Sequence, residues 1–216
     1  MKTETASGLI LRTRPLTETS LIVHWLTPEL GRIATVAKGA RRPKSPFAGK
    51  LDLFYAADFS FSRSRSSDLH NLREVKLLES HSAIRTDIVK LQQAAYAANF
   101  IVQATETETP LPKIYQLARR FLQSLCGQTP SAPNIFAFEL RLLRELGQEP
   151  DLTDARLTPG AKKIVAAMLA NDAPDSTRLK LSAAQVDELR DWLHGFLIFH
   201  LERLPRGRSA ALAAAG

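Results

Sequence analysis

The sequence predicts an α+β protein in which a small five-stranded β-barrel precedes an all-helical domain. The first eighty residues contain short β-prone runs that are separated by polar segments rich in proline and glycine. After Ser80 the apolar residues recur at the three- and four-residue spacing of helices. We therefore expect two domains, a barrel at residues 1–80 and a helical domain at residues 81–216.

Five runs in the first domain are predicted to be strands: residues 8–14, 21–26, 32–37, a longer run at 51–61, and 69–78. The second and third are joined by a tight turn, in which Pro28 presets φ and Gly31 can adopt a positive φ. Five short strands in about 75 residues would leave two exposed edges in an open sheet, so closure into a barrel is favoured. An OB-type barrel fits this strand count.

Five helices are predicted in the second domain. Their ranges are 88–102, 112–125 with Gly127 just past the end, 134–146 with Asn134 as N-cap, 160–170, and a last helix that ends before Pro205. The last helix has the clearest start, because Ser182 and Gln185 form the pattern of a capping box. The sequence does not indicate whether residues 205–216 are ordered.

Composition excludes several classes of protein. No apolar run approaches the roughly 18 residues of a membrane span, and the first residues lack the apolar core of a signal peptide. We therefore expect a cytoplasmic protein with no membrane partner. A single cysteine, Cys126, excludes an internal disulfide framework and any multi-cysteine metal site. At the end of a predicted helix, this cysteine is expected to be a small buried filler.

Catalytic motifs are missing from the sequence. Gly49-Lys50 is followed by leucine, and no glycine stands five residues earlier, so there is no phosphate-binding loop of the Walker type. His194 and His200 lie on different faces of one helix, and no histidine pattern has metal-ligand spacing. We therefore predict a protein that is not an enzyme and that holds neither a cofactor nor a metal.

Charge points to a polyanionic partner. Lys and Arg number 29 against 22 Asp and Glu, which gives a net charge of +7 and a pI near 9.8. The excess is densest in a loop around residues 37–50, where two prolines and two glycines disfavour a helix. We predict that cations in and near this loop contact nucleic-acid phosphates: Arg12, Arg14, Arg32, Lys38, Arg41, Arg42, Lys44 and Lys50, with Arg63 and Arg65 as a candidate extension.

Aromatic residues near the basic loop are candidates for stacking on bases, namely Trp25, Phe47 and Tyr55. Two other interpretations of the loop stay open. In the first, the loop is a solvated segment whose charges only keep the protein soluble. The chain would then be an adaptor that binds partners through its helices. An OB barrel also binds RNA, so the nucleic acid is not fixed by the fold.

Several short segments of the first domain occur in a recognisable order: Gly-Leu-Ile-Leu-Arg-Thr-Arg-Pro at 8–15, Glu-Thr-Ser at 18–20 and Thr-Pro-Glu-Leu-Gly-Arg at 27–32. These segments resemble the opening of the RecO family. The similarity continues in order with residues 37–45 and 49–54, and more loosely with 138–140, 146–147 and a final helix that ends near His200. The specific part is therefore residues 8–54.

The resemblance implies a recombination mediator of bacterial DNA repair, cytoplasmic and associated with the nucleoid. Such proteins have an N-terminal OB barrel and a helical C-terminal domain, and they bind single- and double-stranded DNA. They act with RecR on strands coated by single-stranded DNA-binding protein, anneal complementary strands, and help to load RecA, which is thus an indirect partner. No covalent chemistry is involved.

Two further expectations follow from the resemblance. Many family members carry a four-cysteine zinc module after the helix that corresponds to residues 134–146, and its cysteines are missing here, so a metal-free protein is expected. The family also binds the acidic C-terminal tail of single-stranded DNA-binding protein. Helical arginines beside apolar residues are our candidates for this contact: Arg119, Arg120, Arg141 and Arg144.

Overall fold

The computed structural model describes residues 3–153, 155–170 and 180–213. The chain divides into two compact units. The first comprises Met1–Ser82 and Thr105–Arg119, and the second comprises Ala83–Ala104 and Arg120–Gly216. Residues 105–119 thus belong with the N-terminal unit. The predicted division into residues 1–80 and 81–216 assigns them to the helical domain instead.

The first unit contains five strands: β1 (Thr3–Pro15), β2 (Leu21–Thr27), β3 (Gly31–Ala37), β4 (Ala56–Ser62) and β5 (Leu69–Glu79). They close into a barrel in the order β1-β2-β3-β5-β4. All neighbouring strands are antiparallel except β3 and β5, which pair in parallel. This is the five-stranded barrel of the OB fold. The predicted α+β class with an N-terminal OB barrel is confirmed.

The barrel interior is filled by alternate residues of the strands. Val23 and Trp25 of β2 and Phe59 and Phe61 of β4 belong to one buried apolar cluster, as the two-residue period of a strand requires. The rings of Trp25 and Phe59 stack with their centroids 4.0 Å apart. This aromatic contact joins β2 to β4 across the barrel interior.

The fourth strand is shorter than predicted, because β4 begins only at Ala56 rather than near Leu51. Phe54 adopts a φ of 65°, in the left-handed region, which ends any extended run there. Residues 54 and 55 are nevertheless held to β1, since Phe54 N donates to Ile10 O (2.8 Å) and Ile10 N donates to Tyr55 O (2.9 Å). Leu51 and Tyr55 pack against the barrel core from this connection.

Residues 105–119 are bound to the β2–β3 turn. Glu108 N donates to Arg32 O (3.0 Å), and Leu111 N donates to Pro28 O (2.9 Å). Gly31 in this turn has the predicted positive φ, 64°. A Cβ atom at this position would lie only 1.8 Å from Thr109 O. Glycine is therefore required both by the backbone conformation and by the closeness of the neighbouring segment.

The helices are α1 (Ile88–Ala104), α2 (Pro112–Gly127), α3 (Ala132–Glu145), α4 (Pro159–Ala170), α5 (Ala183–Leu201) and α6 (Arg208–Ala213). In the second unit α3 is the central element, and it contacts α1, α4, α5 and α6. Its residues 134–143 are all buried. Phe138 of α3 packs against Phe121, with the ring centroids 4.7 Å apart.

Helix ends differ from the prediction at two places. The N-cap of α3 is Ser131, and Asn134 is buried inside the first turn, because a proline in that turn lets the helix start earlier. Gly127 is the last residue of α2 rather than the residue after it. The capping box of α5 is confirmed, with Gln185 N donating to Ser182 Oγ (3.3 Å) and Ser182 N donating to Gln185 Oε1 (3.0 Å).

Candidate nucleic-acid interface

The basic loop, residues 38–50, is a chain of short turns anchored in the barrel. Arg42 N donates to Gly39 O (3.1 Å), Ser45 N to Arg42 O (3.0 Å) and Ala48 N to Ser45 O (3.1 Å). Phe47 is only 6% exposed and belongs to the barrel core, so it fixes the middle of the loop. The cations around this anchor are exposed: Lys38, Arg41, Arg42 and Lys44.

The loop is also tied to the turn between β1 and β2. Arg41 N donates to Thr19 O (3.0 Å), and Arg41 Nη1 donates to Thr17 O (3.2 Å). Thr17 Oγ1 in turn accepts a hydrogen bond from Ser20 N (3.0 Å). These contacts fix the position of the start of the loop relative to the barrel.

A cleft of about 430 Å³ lies between the loop and this turn. Lys38 and Arg42 line it from the loop, and Thr17, Thr19 and Ser20 line it from the turn. Cationic and hydroxyl donors together are the groups that bind phosphate oxygens. Sequence reasoning found the two cations through charge density and missed the threonines, because nothing in the sequence shows that residues 17–19 lie beside residue 42.

Two further cations lie on the neighbouring strand. Arg12 and Arg14 are exposed on β1, and Arg12 pairs with His24 of β2 in the strand register. The pKa of His24 is lowered by burial and then by the positive charges of Arg14, Arg12 and Arg32. His24 thus lies in a positive field on the outside of the barrel. His24 is not among the predicted site residues. Only the pairing of β1 with β2 places it beside Arg12.

We name the exposed cations of this region the cationic face: Arg12, Arg14, Lys38, Arg41, Arg42 and Lys44. The register places its two parts at the same end of the sheet, because Leu21 pairs with both Pro15 at the end of β1 and Ala37 at the end of β3.

Arg32 lies outside the cationic face, because part of its guanidinium is bound to protein. Its Nε donates to Thr105 Oγ1 (2.8 Å), and its Nη2 donates to the Thr105 carbonyl. Burial lowers the pKa of Arg32 below its usual range. The guanidinium therefore holds residues 105–119 to the barrel and adds to the positive field, while two of its donors face protein.

Lys50 lies apart from the cleft. It lines a groove of about 730 Å³ that is formed by β1, β4 and β5 together with the end of the loop. Arg73 and Lys76 line this groove as well, but so do Asp58 and Glu74. The mixed charge makes this groove less suited to a phosphate backbone than the cationic face.

Of the two arginines predicted to extend the basic strip, one is paired with acids. Arg63 Nε and Nη2 donate to Glu4 at 3.0 and 3.1 Å, and Nη1 donates to Glu108 at 3.0 Å. These carboxylates raise the pKa of Arg63 and cancel its charge at the surface. Arg65 is exposed.

The aromatic candidates for base stacking are placed differently from the prediction. Trp25 is 0% exposed and Phe47 is 6% exposed, both in the barrel core. The third candidate, Tyr55, is half-buried against the same core. The prediction for Trp25 and Phe47 is wrong because alternation along β2 turns residue 25 inward, and because the loop folds Phe47 back into the barrel.

The four helical arginines differ in their accessibility. Arg141 is 8% exposed and its Nε donates to Met168 O (3.0 Å), while Arg144 Nη1 donates to Leu169 O (2.6 Å). Both residues thus satisfy carbonyl groups at the C-terminal end of α4. Arg141 is buried, which makes it a weaker candidate for a partner contact than Arg144.

The other two arginines lie on α2. In the first unit Arg119 Nη2 lies 3.8 Å from Glu79 Oε2, and in the second unit Arg120 is exposed.

Within residues 3–153, 155–170 and 180–213, no group of three or more His, Cys, Asp or Glu side chains is arranged to hold a metal ion. Nor does this part of the chain contain a helix with the length and apolar character needed to cross a membrane. Cys126, expected to be buried, is partly exposed at the end of α2, because the last turn of a helix is covered on fewer sides than its middle.

Comparison with known proteins agrees with this geometry. The family model described as "Recombination protein O N terminal" matches residues 1–81, and the model "Recombination protein O C terminal" matches residues 85–155. The chain belongs to the RecO family. The first match ends at residue 81, just after β5 ends at Glu79, so it covers the five strands and the basic loop.

Curated RecO relatives are similar over about two thirds of the chain. The chain is 32% identical over 143 residues to the DNA repair protein RecO of Rhodopirellula baltica, covering 66% of this chain and 53% of that protein. It is 34% identical over 148 residues to RecO of Exiguobacterium sibiricum (68% and 58%), and 30% identical over 145 residues to RecO of Bacillus subtilis (67% and 56%). The chain therefore spans little more than half the length of these relatives.

Proposed function

We propose that this chain is a recombination mediator of DNA repair that binds single- and double-stranded DNA through the cationic face of its barrel. The observation that carries this proposal is the convergence of exposed cations from β1 and the basic loop at one end of the sheet, where a cleft separates the loop from the β1–β2 turn. Lys38 and Arg42 line this cleft together with Thr17 and Thr19, a combination of residue types that suits a phosphate group. Membership of the RecO family supports DNA as the nucleic acid.

Electrostatics accounts for binding without sequence preference. Each phosphate that a Lys or Arg neutralises releases condensed counterions, which gives a slope of log K against log salt of about −0.7 per contact on a single strand. The six cations of the cationic face would therefore give a slope near −4. A gap-processing protein has to bind any sequence, and a contact made to the backbone satisfies this requirement.

We further propose that the chain acts with RecR on strands coated by single-stranded DNA-binding protein, anneals complementary strands, and helps to load RecA. In this proposal it works in the cytoplasm at the nucleoid and has no catalytic role. Residues 1–80 form the DNA-binding domain, and residues 81–216 carry the partner contacts. Arg120 and Arg144 are the better candidates for the acidic tail of single-stranded DNA-binding protein, because more of each is accessible than of Arg141.

The test is fluorescence anisotropy of a labelled 20-nucleotide DNA strand across a salt series. The loop variant Arg41→Glu/Arg42→Glu/Lys44→Glu is compared with a control variant, Arg156→Glu/Lys163→Glu/Arg203→Glu, whose three positions are exposed in the helical unit. Both variants change the net charge equally. We expect the loop variant to bind at least tenfold more weakly, with a salt slope smaller by about 2, and the control to stay within threefold of the wild type.

Other outcomes would overturn specific parts of the proposal. Equal loss in both variants, each folded by circular dichroism, would mean that net charge rather than the cationic face controls binding. No binding by the wild type would make the chain an adaptor. A competing RNA strand that displaces the DNA at a tenfold lower concentration would make RNA the ligand.

A further inference from the structure

The aromatic rings of the barrel are turned away from the surface that carries the cations. All five Trp and Phe side chains among residues 3–82 are at most 6% exposed: Trp25, Phe47, Phe54, Phe59 and Phe61. Other side chains of the barrel contact both the ring faces and the polar atoms of these residues. Trp25 stacks on Phe59, and its Nε1 donates to Thr35 Oγ1 (2.8 Å), so neither ring face nor the N–H group points outward.

The remaining rings of the first unit are also engaged with protein. Phe61 stacks on His70, with ring centroids 5.4 Å apart. Tyr115 is 8% exposed. Tyr55 is half-buried and packs against the barrel core. Among the described residues of this unit, those that line the cleft include no aromatic side chain: they are Leu16, Thr17, Thr19, Ser20, Val36, Lys38, Gly39 and Arg42.

Single-strand-binding OB barrels commonly combine a cationic groove with exposed rings on which successive bases stack, and each stack raises affinity by about tenfold. Here the cationic component is on the surface and the rings belong to the core. From this separation, and resting on the proposed function, we infer that the barrel holds nucleic acid by its phosphodiester backbone alone and leaves the bases unbound.

This mode of binding has a consequence for annealing. A strand that is held through its phosphates keeps its base faces and its pairing edges in solvent, where a complementary strand can reach them. The cations that hold the strand also lower the repulsion between the two backbones. A barrel that stacked the bases would have to release them before pairing. Binding the backbone therefore makes the held strand competent for annealing without a release step.

The test compares two labelled strands with the same number of phosphates, a 20-residue oligothymidylate and a 20-residue strand in which every nucleotide is abasic. Oligothymidylate stacks little on itself, so both strands are flexible. Anisotropy titrations with the full chain are expected to give dissociation constants within threefold of each other and the same salt slope. Tenfold or greater preference for oligothymidylate would overturn the inference.

A second readout reports on the bases directly. Permanganate attacks the faces of unstacked thymines, so oligothymidylate saturated with the protein is expected to react as fast as the free strand. Protection of the thymines would overturn the inference. The variant Tyr55→Leu, which removes the least buried ring of the barrel core and keeps an apolar side chain, is expected to bind within threefold of the wild type. Failure of both strands to bind would instead contradict the proposed function.

Discussion

Arg208 and Glu139 form a buried ion pair that ties the last helix to the centre of the helical unit. Arg208 Nε lies 2.7 Å from Glu139 Oε1, and Nη2 lies 3.1 Å from Oε2. The two side chains are 5% and 0% exposed. Tyr96 OH also donates to Glu139 Oε1 (2.5 Å), and burial followed by the Glu139 charge raises the pKa of Tyr96 well above its usual range. The phenol therefore remains a donor.

Removing the cation of this pair is expected to destabilise the protein strongly. Arg208→Met leaves the Glu139 carboxylate buried without its counter-ion, so the free energy of unfolding should fall by about 3–5 kcal/mol. The double variant Glu139→Gln/Arg208→Met removes both charges and should recover part of this loss. Urea denaturation of the full chain measures all three proteins.

An exposed ion pair provides the control for this series. Arg190 Nη1 lies 2.7 Å from Asp187 Oδ1 on the surface of α5, and Arg190→Met should lower the free energy of unfolding by less than about 1 kcal/mol. If Arg208→Met were as mild as this control, the buried pair would not stabilise α6.

Alanine substitutions at two glycines with similar φ distinguish the cost of backbone strain from the cost of a steric clash. Gly31 has a φ of 64° and Gly49 has a φ of 70°. A Cβ at Gly31 would clash with Thr109 O, whereas a Cβ at Gly49 would meet no atom within 4 Å. Gly49→Ala should therefore destabilise by about 1 kcal/mol through φ alone, and Gly31→Ala by about 3 kcal/mol or more.

Thermal and urea unfolding of the two alanine variants give this comparison. Equal destabilisation would mean that residues 105–119 are not packed against the β2–β3 turn. A smaller effect at Gly31 than at Gly49 would contradict the assignment of the clash.

The barrel could be predicted because its strands carry local signals, namely alternation of apolar residues and turn residues between them. The order of the strands has no such local signal, because β3 pairs with β5, which is not its neighbour along the chain. Helix α6 could not be predicted, because the contact that fixes it joins Arg208 to a residue 69 positions away. Residues 105–119 carry no signal that they belong with the barrel, for the same reason.

The cationic face was predictable as a class of residues but not as a surface. Charge density marked Lys38, Arg41, Arg42 and Lys44 of the loop, and all four are exposed. It could not show that Arg32 is bound to Thr105, 73 positions along the chain, nor that Lys50 lines a different groove. Such differences depend on tertiary contacts. The same holds for Phe47, whose sequence neighbourhood is polar although its ring lies in the barrel core.

Arg141 is expected to act on stability rather than on partner binding. Arg141→Met removes the donor to Met168 O and leaves a carbonyl at the end of α4 without this bond, which should cost about 1–3 kcal/mol. Lys163→Met on the exposed side of α4 should change stability by less than about 0.5 kcal/mol. Urea denaturation measures both. An Arg141→Met protein of wild-type stability that no longer binds an acidic peptide would restore Arg141 as a partner contact.

His24 should report on nucleic acid bound at the cationic face. In the free protein the pKa of His24 is lowered below 6.5, first by burial and then by the charges of Arg14, Arg12 and Arg32. As the pH falls below about 6.5, this histidine is protonated in the unfolded chain before it is protonated in the folded protein. The free energy of unfolding therefore decreases from its value at higher pH.

Bound phosphates would offset the arginine charges and raise the pKa of His24 in the complex. Binding then takes up protons between the two pKa values, so affinity should increase as the pH falls through that range. An NMR titration of the His24 ring with and without oligothymidylate measures the shift. His81 is the internal control, because burial lowers its pKa while its Nδ1 donates to Phe54 O (2.7 Å), and it should not respond. A His24 pKa that stays unchanged in the saturated complex would mean that the strand does not cross this side of the barrel.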